Sequence, residues 1–599
     1  MRYRWSLAPS QPLLAGRLAA ALRISPLLAQ CLINRGHSDG PLIETFLQPR
    51  LKQLADPFLL PDMDKAVDRL FRARERDEPL VIFGDYDVDG VTSTALLLEV
   101  LRPLGWRVDH YLPHRMDEGY GLSADGVDNC VKKFPVTQLL AVDCGSTAVD
   151  TIASLQARGI DVIVLDHHQV SNPPPNAIAL VNPQLLGRES RVDGRGPDPG
   201  LSTLDPRPST ELCSVGLAFK LAHAILKRGR ESNLPGAAEF DLKPLLDLVA
   251  LGTIADLVPL IGENRILVSA GLRQLDQTTR PGLVALKKVS GTAGPVGVYE
   301  VGFQLAPRLN AAGRLETAAE SLHLLLAKTV EEAMPLAQNL DQRNRERQKI
   351  EKTIADEVIA TIRAKFDAQN HFVIVEGQLL WHIGVVGIVA SRVLQEFYRP
   401  TIIIGGENGE MRGSGRSIAG FDLAAALREC THLLVRHGGH AMAAGVSILP
   451  GKIDEFREHL NSLARRCLKP DDLRPSLRLD GEVGLDELTM AALGELDRLK
   501  PCGQGNPSIQ FCARNLSHAK PLQRMGADKQ HVKLWVTDTP APSAYGARAV
   551  EAVWWNGGSA SLPVGRFDLA FAPQINRFNG KTTVQLKVLD WQPASESKV

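Results

Sequence analysis

The chain has 599 residues, 44% of them hydrophobic, with 68 Lys+Arg against 68 Asp+Glu. That length allows several cored domains, roughly three or four. A formal charge of zero excludes a uniformly basic nucleic-acid-coating protein and leaves local basic clefts open.

Eight scattered cysteines include no C-x-x-C pair, which argues for reduced thiols rather than a disulfide framework or a zinc finger. The first residues, "MRYRWSLAPSQPLL", lack a signal-peptide core, and no apolar run reaches about 18 residues. A cytoplasmic chain with no membrane span is expected. Residues 1–70 are read as an N-terminal segment packing on the domain that follows. From about Pro79 to Val181, short apolar runs ("LVIF", 80–83; "QLLAV", 138–142; "VIVL", 162–165) alternate with amphipathic stretches (92–105 and 148–159) ending at glycines. This alternation predicts a parallel sheet covered by helices within a domain spanning 71–315. Residues 187–209, rich in Gly, Pro and charge, read as a surface insertion with no assigned function.

The first run leads into "VIFGDYDVDG" (81–90), with Asp85, Asp87 and Asp89 on alternate positions. A calcium loop opens this way, but its twelfth position would be Leu96, which cannot ligate a cation. A solvated turn and a catalytic metal site remain. Three other acidic segments decide between them. "LLAVDCGS" puts Asp143 after an apolar run, "VIVLDHHQV" does so for Asp166, His167 and His168, and "LVALGTIADLVPL" for Asp256. Open parallel sheets bind ligands at the carboxyl ends of their strands. Carboxylates packed there repel unless a cation intervenes. A set of mostly carboxylates with one or two imidazoles favours a pair of Mn²⁺ or Mg²⁺ ions over zinc, suited to phosphodiester hydrolysis by activated water. No nucleophile elbow or P-loop is present.

Further on, residues 316–366 read as connecting helices. Leu336–Phe366 runs 31 residues without Gly or Pro, about 45 Å if helical throughout, either a core helix or a strut between domains. Residues 367–468 read as a smaller α/β domain, with "HFVIVEG" and "PTIIIGG" as strands flanking the helix "GVVGIVASRVLQEF". Residues 469–599 alternate at period two and predict a small antiparallel barrel. From 501 on, eleven Lys/Arg stand against six Asp/Glu, with four of the seven Trp. This suits single-strand binding by stacking, or a barrel whose Trp form its core.

"GDYDVDG", "VDCG", "LDHH" and "GTIADLVPL", in this order, resemble the motifs of the DHH phosphoesterase superfamily. "PRLNAAGRL" (307–315), "HIGVVGIVASR" (382–392), "MRGSGRS" (411–417) and "GGHAMAAG" (438–445) are similar to the RecJ family of single-stranded-DNA-specific exonucleases. The resemblance implies a DHH-type parallel-sheet domain, a DHHA1 domain and an OB-like barrel. It implies two Mn²⁺ or Mg²⁺ ions held by Asp87, Asp89, Asp143, His167 and Asp256, with Asp143 as the bridge and Asp85 as a further metal ligand or a group that orients one. Phe83 stands where many relatives have a His. His168 would contact the scissile phosphate, Asp166 would orient an imidazole, and His440 would complete the cleft from the second domain. Arg115, Arg308, Asn310, Arg314, Arg412, Ser414 and Arg416 would bind substrate, including its 5′-phosphate. The activity implied is 5′→3′ digestion of single-stranded DNA to mononucleotides in repair and recombination. Implied with it are a monomer associated with the nucleoid, and single-stranded-DNA-binding protein and a helicase as partners. A phosphodiesterase of short oligonucleotides or cyclic dinucleotides is the alternative. A scaffold without metal ligands is a third reading, which the retained acidic positions oppose.

Overall fold

The computed structural model describes residues 3–114, 117–119, 121–186, 209–315, 318–407, 410–538 and 549–594. The insertion 187–209 therefore lies outside the described residues except for Ser209. The chain divides into two compact units. One comprises Gln48–Gln348 with Pro501–Pro507, and the other Met1–Leu47, Lys349–Lys500 and Ser508–Val599.

The first unit holds a five-stranded parallel sheet ordered Val108–Tyr111, Leu80–Gly84, Gln138–Val142, Asp161–Leu165, Ala179–Val181. Register is tight: Leu80 faces Val108 on one side and Gln138 on the other. Its strands are continuous apolar runs because both faces are covered. Leu80, Ile82, Leu140 and Val142 point into one core, and Val81, Phe83, Leu139 and Ala141 into the opposite one. Helices Ser214–Glu231 and Leu246–Ala255 pack on the first face.

Residues 1–70 are not one segment packed on this domain. Leu60, Met63, Ala66, Val67 and Leu70 do enter its core. Leu28, Leu32, Ile43 and Phe46 instead share a core with Phe511, Val536 and Phe571 of the C-terminal barrel. The strand Arg4–Leu7 pairs in parallel with Ser476–Leu479. The reason is burial: three short helices (Pro12–Leu22, Pro26–Ile33, Gly40–Leu47) present apolar faces too small to bury alone, and the barrel end offers them a partner. Conversely, Pro501–Pro507 leave the C-terminal region for the unit of the parallel sheet, where Leu260 N donates to the Gln504 carbonyl at 2.7 Å.

The long helix runs Val330–Lys365, 36 residues, and takes Pro335 inside its early turns rather than starting after it. There the missing N–H costs a single intrahelical bond. Beyond it, the strands Ile374–Gln378 and Thr401–Glu407 are parallel and flank helix Val386–Phe397, within a five-stranded mixed sheet. The barrel sheet has six strands and closes through Phe511–Met525 against Phe567–Phe578. It is not wholly antiparallel, because Val550–Trp554 runs parallel to Lys581–Pro593. Among the described residues no single helix is long and apolar enough to cross a membrane. The eight cysteines, all among the described residues, form no disulfide with one another.

Candidate metal centre

The strand order of the parallel sheet puts a switch point between Leu80–Gly84 and Gln138–Val142. The helices that follow these two strands, Val88–Leu101 and Val149–Ala157, pack on opposite faces, which opens a crevice at the strand ends. Asp85 and Asp87 follow the first strand, Asp143 the second, and Asp166, His167 and His168 the next. Asp87 also caps helix Val88–Leu101, its Oδ1 accepting from Asp89 N (2.9 Å) and Gly90 N (3.1 Å). Asp89, in the first turn, accepts from Ser214 N (2.7 Å) and Val215 N (2.8 Å), the start of helix Ser214–Glu231. Asp143 has left-handed backbone (φ +65°), as does Leu257 (φ +60°) directly after Asp256. Strain of this kind in non-glycine residues is kept where a site fixes it.

These segments converge. His167 Nε2 lies 3.4 Å from Asp143 Oδ1, 3.4 Å from Asp256 Oδ2 and 4.0 Å from Asp89 Oδ2. Three groupings of donor atoms fall within 4.8 Å of one another: Asp85, Asp87 and Asp143; Asp143, His167 and His168; Asp89, His167 and Asp256. Asp143 belongs to two of them, as a bridging carboxylate would.

Burial, then Asp87 and Asp89, pushes the Asp143 carboxyl well above the usual range. Burial and Asp87 take Asp89 up to about 7. Burial, Asp89 and Asp87 take Asp256 up to about 9. Burial, reinforced by His168, lowers His167 to about 4, so its ring is neutral and able to ligate. Two buried atoms, His167 Nε2 and Asp256 Oδ2, have no hydrogen-bond partner among the described residues. A buried polar atom without a partner is costly. Orphaned donors beside crowded carboxylates fit divalent cations, and a set dominated by oxygen fits Mg²⁺ or Mn²⁺.

Asp166 is differently placed. Its oxygens accept from Ser146 N (2.9 Å), His167 N (2.8 Å) and His168 N (3.2 Å), and pair with His168 Nδ1 (2.8 Å). Burial opposes its ionisation, but the His168 bond and charge, the Ser146 bond and the nearby His167 together outweigh it and hold the carboxyl well below the usual range. Burial likewise opposes the charge on His168, which Asp166 nevertheless raises to about 9. Phe83 offers no ligand: it is fully buried in the opposite core and stacks on Tyr111.

A model of the DHH family's N-terminal domain matches residues 79–253, one of the DHHA1 domain residues 370–466, and one of the RecJ OB domain residues 479–590. Single-stranded-DNA-specific exonuclease RecJ of Bacillus subtilis (strain 168) is 36% identical over 98% of this chain and 71% of its own length. The RecJ of Dickeya dadantii is also 36% identical, over 90% and 92%. The chain belongs to the RecJ family. Its fold matches the crystal structure of RecJ in complex with Mn²⁺ from Thermus thermophilus at a TM-score of 0.80, with 28% identity over 99% of this chain and 80% of that one.

The remaining expected site residues of this RecJ-family chain divide into distinct surroundings. Arg308 does not present a guanidinium for phosphate. Its Nε and Nη2 both reach Asp341 Oδ1 at 2.9 Å, and Nη1 donates to the Gln304 carbonyl. Asn310 Oδ1 accepts from Val88 N at 3.2 Å, beside the metal loop. Arg412, Ser414 and Arg416 alternate along strand Glu410–Arg416 and so share one face. Arg416 donates to Ser414 Oγ (3.0 Å) and the Gly415 carbonyl (2.8 Å), with no carboxylate among its described partners, and burial lowers its pKa. Gly387, in the first turn of helix Val386–Phe397, lies against both Ser414 and Arg416. His440 is exposed at a hairpin tip, where its N–H donates to the Ala443 carbonyl at 2.8 Å. Arg115 lies outside the described residues, as does the Arg314 side chain.

None of the four barrel Trp is fully buried. Trp554 and Trp591 border the core, whereas Trp535 lies beneath Lys520 (5.8 Å) and Lys533 (5.7 Å). Sequence reading missed Ser214, whose Oγ donates to Asp143 at 2.9 Å, and Asn182, which donates to Ser146 Oγ and the His168 carbonyl, both at 2.8 Å. Asn182 directly follows the short strand Ala179–Val181. The same strand-end rule would have found it had that strand been recognised.

Proposed function

We propose that this protein is a divalent-metal-dependent exonuclease that digests single-stranded DNA from its 5′ end and releases 5′-mononucleotides. The convergence of Asp85, Asp87, Asp89, Asp143, His167 and Asp256 at one switch point carries this reading. Asp143 would bridge two ions, Mn²⁺ or Mg²⁺, with the others completing their coordination. Bound there, the cations would polarise a phosphodiester oxygen and lower the pKa of water. Asp166 fixes the His168 ring through Nδ1, so Nε2 is the nitrogen that would meet the scissile phosphate.

A half-buried guanidinium with neutral partners calls for an anion. Arg416, with Ser414 and the first turn of helix Val386–Phe397 beside them, would take the terminal 5′-phosphate and set the direction of digestion. Arg412 and His440 would contact the strand. The barrel, with Trp535 under two lysines, would hold it by stacking and charge. The reading extends to a nucleoid-associated monomer acting in repair and recombination with single-stranded-DNA-binding protein and a helicase.

Labelled single-stranded DNA and a blunt duplex of equal length, incubated with Mn²⁺ or Mg²⁺, test the activity. Only the single strand should shorten, from its 5′ end, and a chelator should stop it. Equal digestion of both substrates would sink the single-strand reading.

A further inference from the structure

Helix Ala306–Leu315 meets the metal loop at two points. A helix leaves its first N–H groups without intrahelical partners. At the start of Val88–Leu101, Asp87 Oδ1 takes Asp89 N and Gly90 N, and the Asp87 carbonyl takes Val91 N at 2.9 Å. The remaining donor, Val88 N, belongs to a residue only 2% exposed and goes to Asn310 Oδ1. Asn310 thus completes a cap whose other member is a candidate metal ligand. One turn later, Gly313 abuts Tyr86, between Asp85 and Asp87. A Cβ at Gly313 would stand 2.8 Å from the Tyr86 carbonyl oxygen. The helix is itself anchored from behind by Arg308 on Asp341 and by Ser321 Oγ donating to the Leu309 carbonyl at 2.9 Å.

We propose that Asn310 and Gly313 are positioning residues that clamp Asp85–Val88 in the geometry that binds metal, and that Asn310 does not bind DNA. The inference rests on the metal reading above. Mutually repelling carboxylates on a short loop will splay unless the backbone beneath them is held. An uncharged acceptor suits the task, since another carboxylate would add to the crowd. Losing a group that orients ligands in this way typically costs about 10–100-fold in metal affinity or activity.

The test uses full-length, metal-stripped protein. Mn²⁺ binding is measured by calorimetry, and exonuclease kinetics are measured at saturating Mn²⁺. Asn310→Ala should raise the Mn²⁺ Kd about 10–100-fold and lower kcat, with KM for DNA unchanged. Asn310→Asp, which keeps an acceptor for Val88 N, should recover part of the affinity. Gly313→Ala keeps every hydrogen bond yet displaces Tyr86; it should weaken Mn²⁺ binding too, and it carries the test if Asn310→Ala does not fold. Wild-type Mn²⁺ affinity in Gly313→Ala, or in Asn310→Ala together with a raised KM, would overturn the clamp. Failure of the wild-type protein to bind Mn²⁺ would instead overturn the metal reading itself.

Discussion

Arg308 and Arg416 occupy similar basic motifs but different electrostatic surroundings. Asp341 neutralises Arg308, whereas Arg416 bonds to a hydroxyl and a carbonyl and is buried enough for its pKa to fall. A charge-assisted hydrogen bond contributes about 1.5–3 kcal/mol. Arg416→Ala should therefore raise KM for a 5′-phosphorylated strand by about 10–100-fold and leave a 5′-hydroxyl strand unaffected, as steady-state kinetics would show. Arg308→Ala should leave that preference intact and lower stability in urea by about 1–3 kcal/mol, because it withdraws a partner from buried Asp341. His110 supplies a pH dependence. Burial, then Arg102, lowers its pKa from 6.5 to about 4. The unfolded chain alone takes up this proton as pH falls from 6.5 towards 4, so stability is intact above pH 6.5 and lost across that window. Partial exposure screens the effect to the order of 1 kcal/mol. His110→Gln should flatten the acid limb of a urea-denaturation series by that amount.

At the scale of elements, helix Leu246–Ala255 carries Asp256 at its C-terminal end and crosses helix Gly262–Asp276 with almost no space between backbones. A Cβ on Gly271 would lie 2.3 Å from the Leu246 carbonyl oxygen and 2.7 Å from Ala250 Cβ. Gly271→Ala should force the helices apart, destabilise the catalytic unit by about 1–3 kcal/mol and weaken Mn²⁺ binding as Asp256 moves. Denaturation and calorimetry on the same sample would check both. The three central strands of the parallel sheet were legible because double-sided burial leaves an unmistakable apolar run. Val108–Tyr111 and Ala179–Val181 were not, since four- and three-residue strands at the sheet edges carry too little pattern.

For the whole molecule, the two ends of the chain fold together. Leu28, Leu32, Ile43 and Phe46 complete the barrel core. Removing Met1–Leu47 should therefore strip hydrogen-exchange protection from barrel strand Phe511–Met525 while Leu80–Gly84 keeps its own. The opposite pattern would place the N-terminal helices on the catalytic sheet after all.

The sequence by itself determined where Asp85, Asp87, Asp143 and Asp166 go, because acidic residues directly after buried strands have one place to go in a parallel sheet, whereas Asp256 arrives there from the end of helix Leu246–Ala255. It also determined the long helix, the second α/β region and the alternating barrel strands, each through a local period. Tertiary structure decided everything that depends on a distant partner. Whether an arginine is committed or available turned on Asp341, thirty-three residues from Arg308. The role of Asn310 turned on Val88, 222 residues away. Ser214 reached Asp143 only because helix Ser214–Glu231 begins at the strand ends. Local patterns report burial and period; hydrogen bonds and ion pairs between remote segments leave no trace in either.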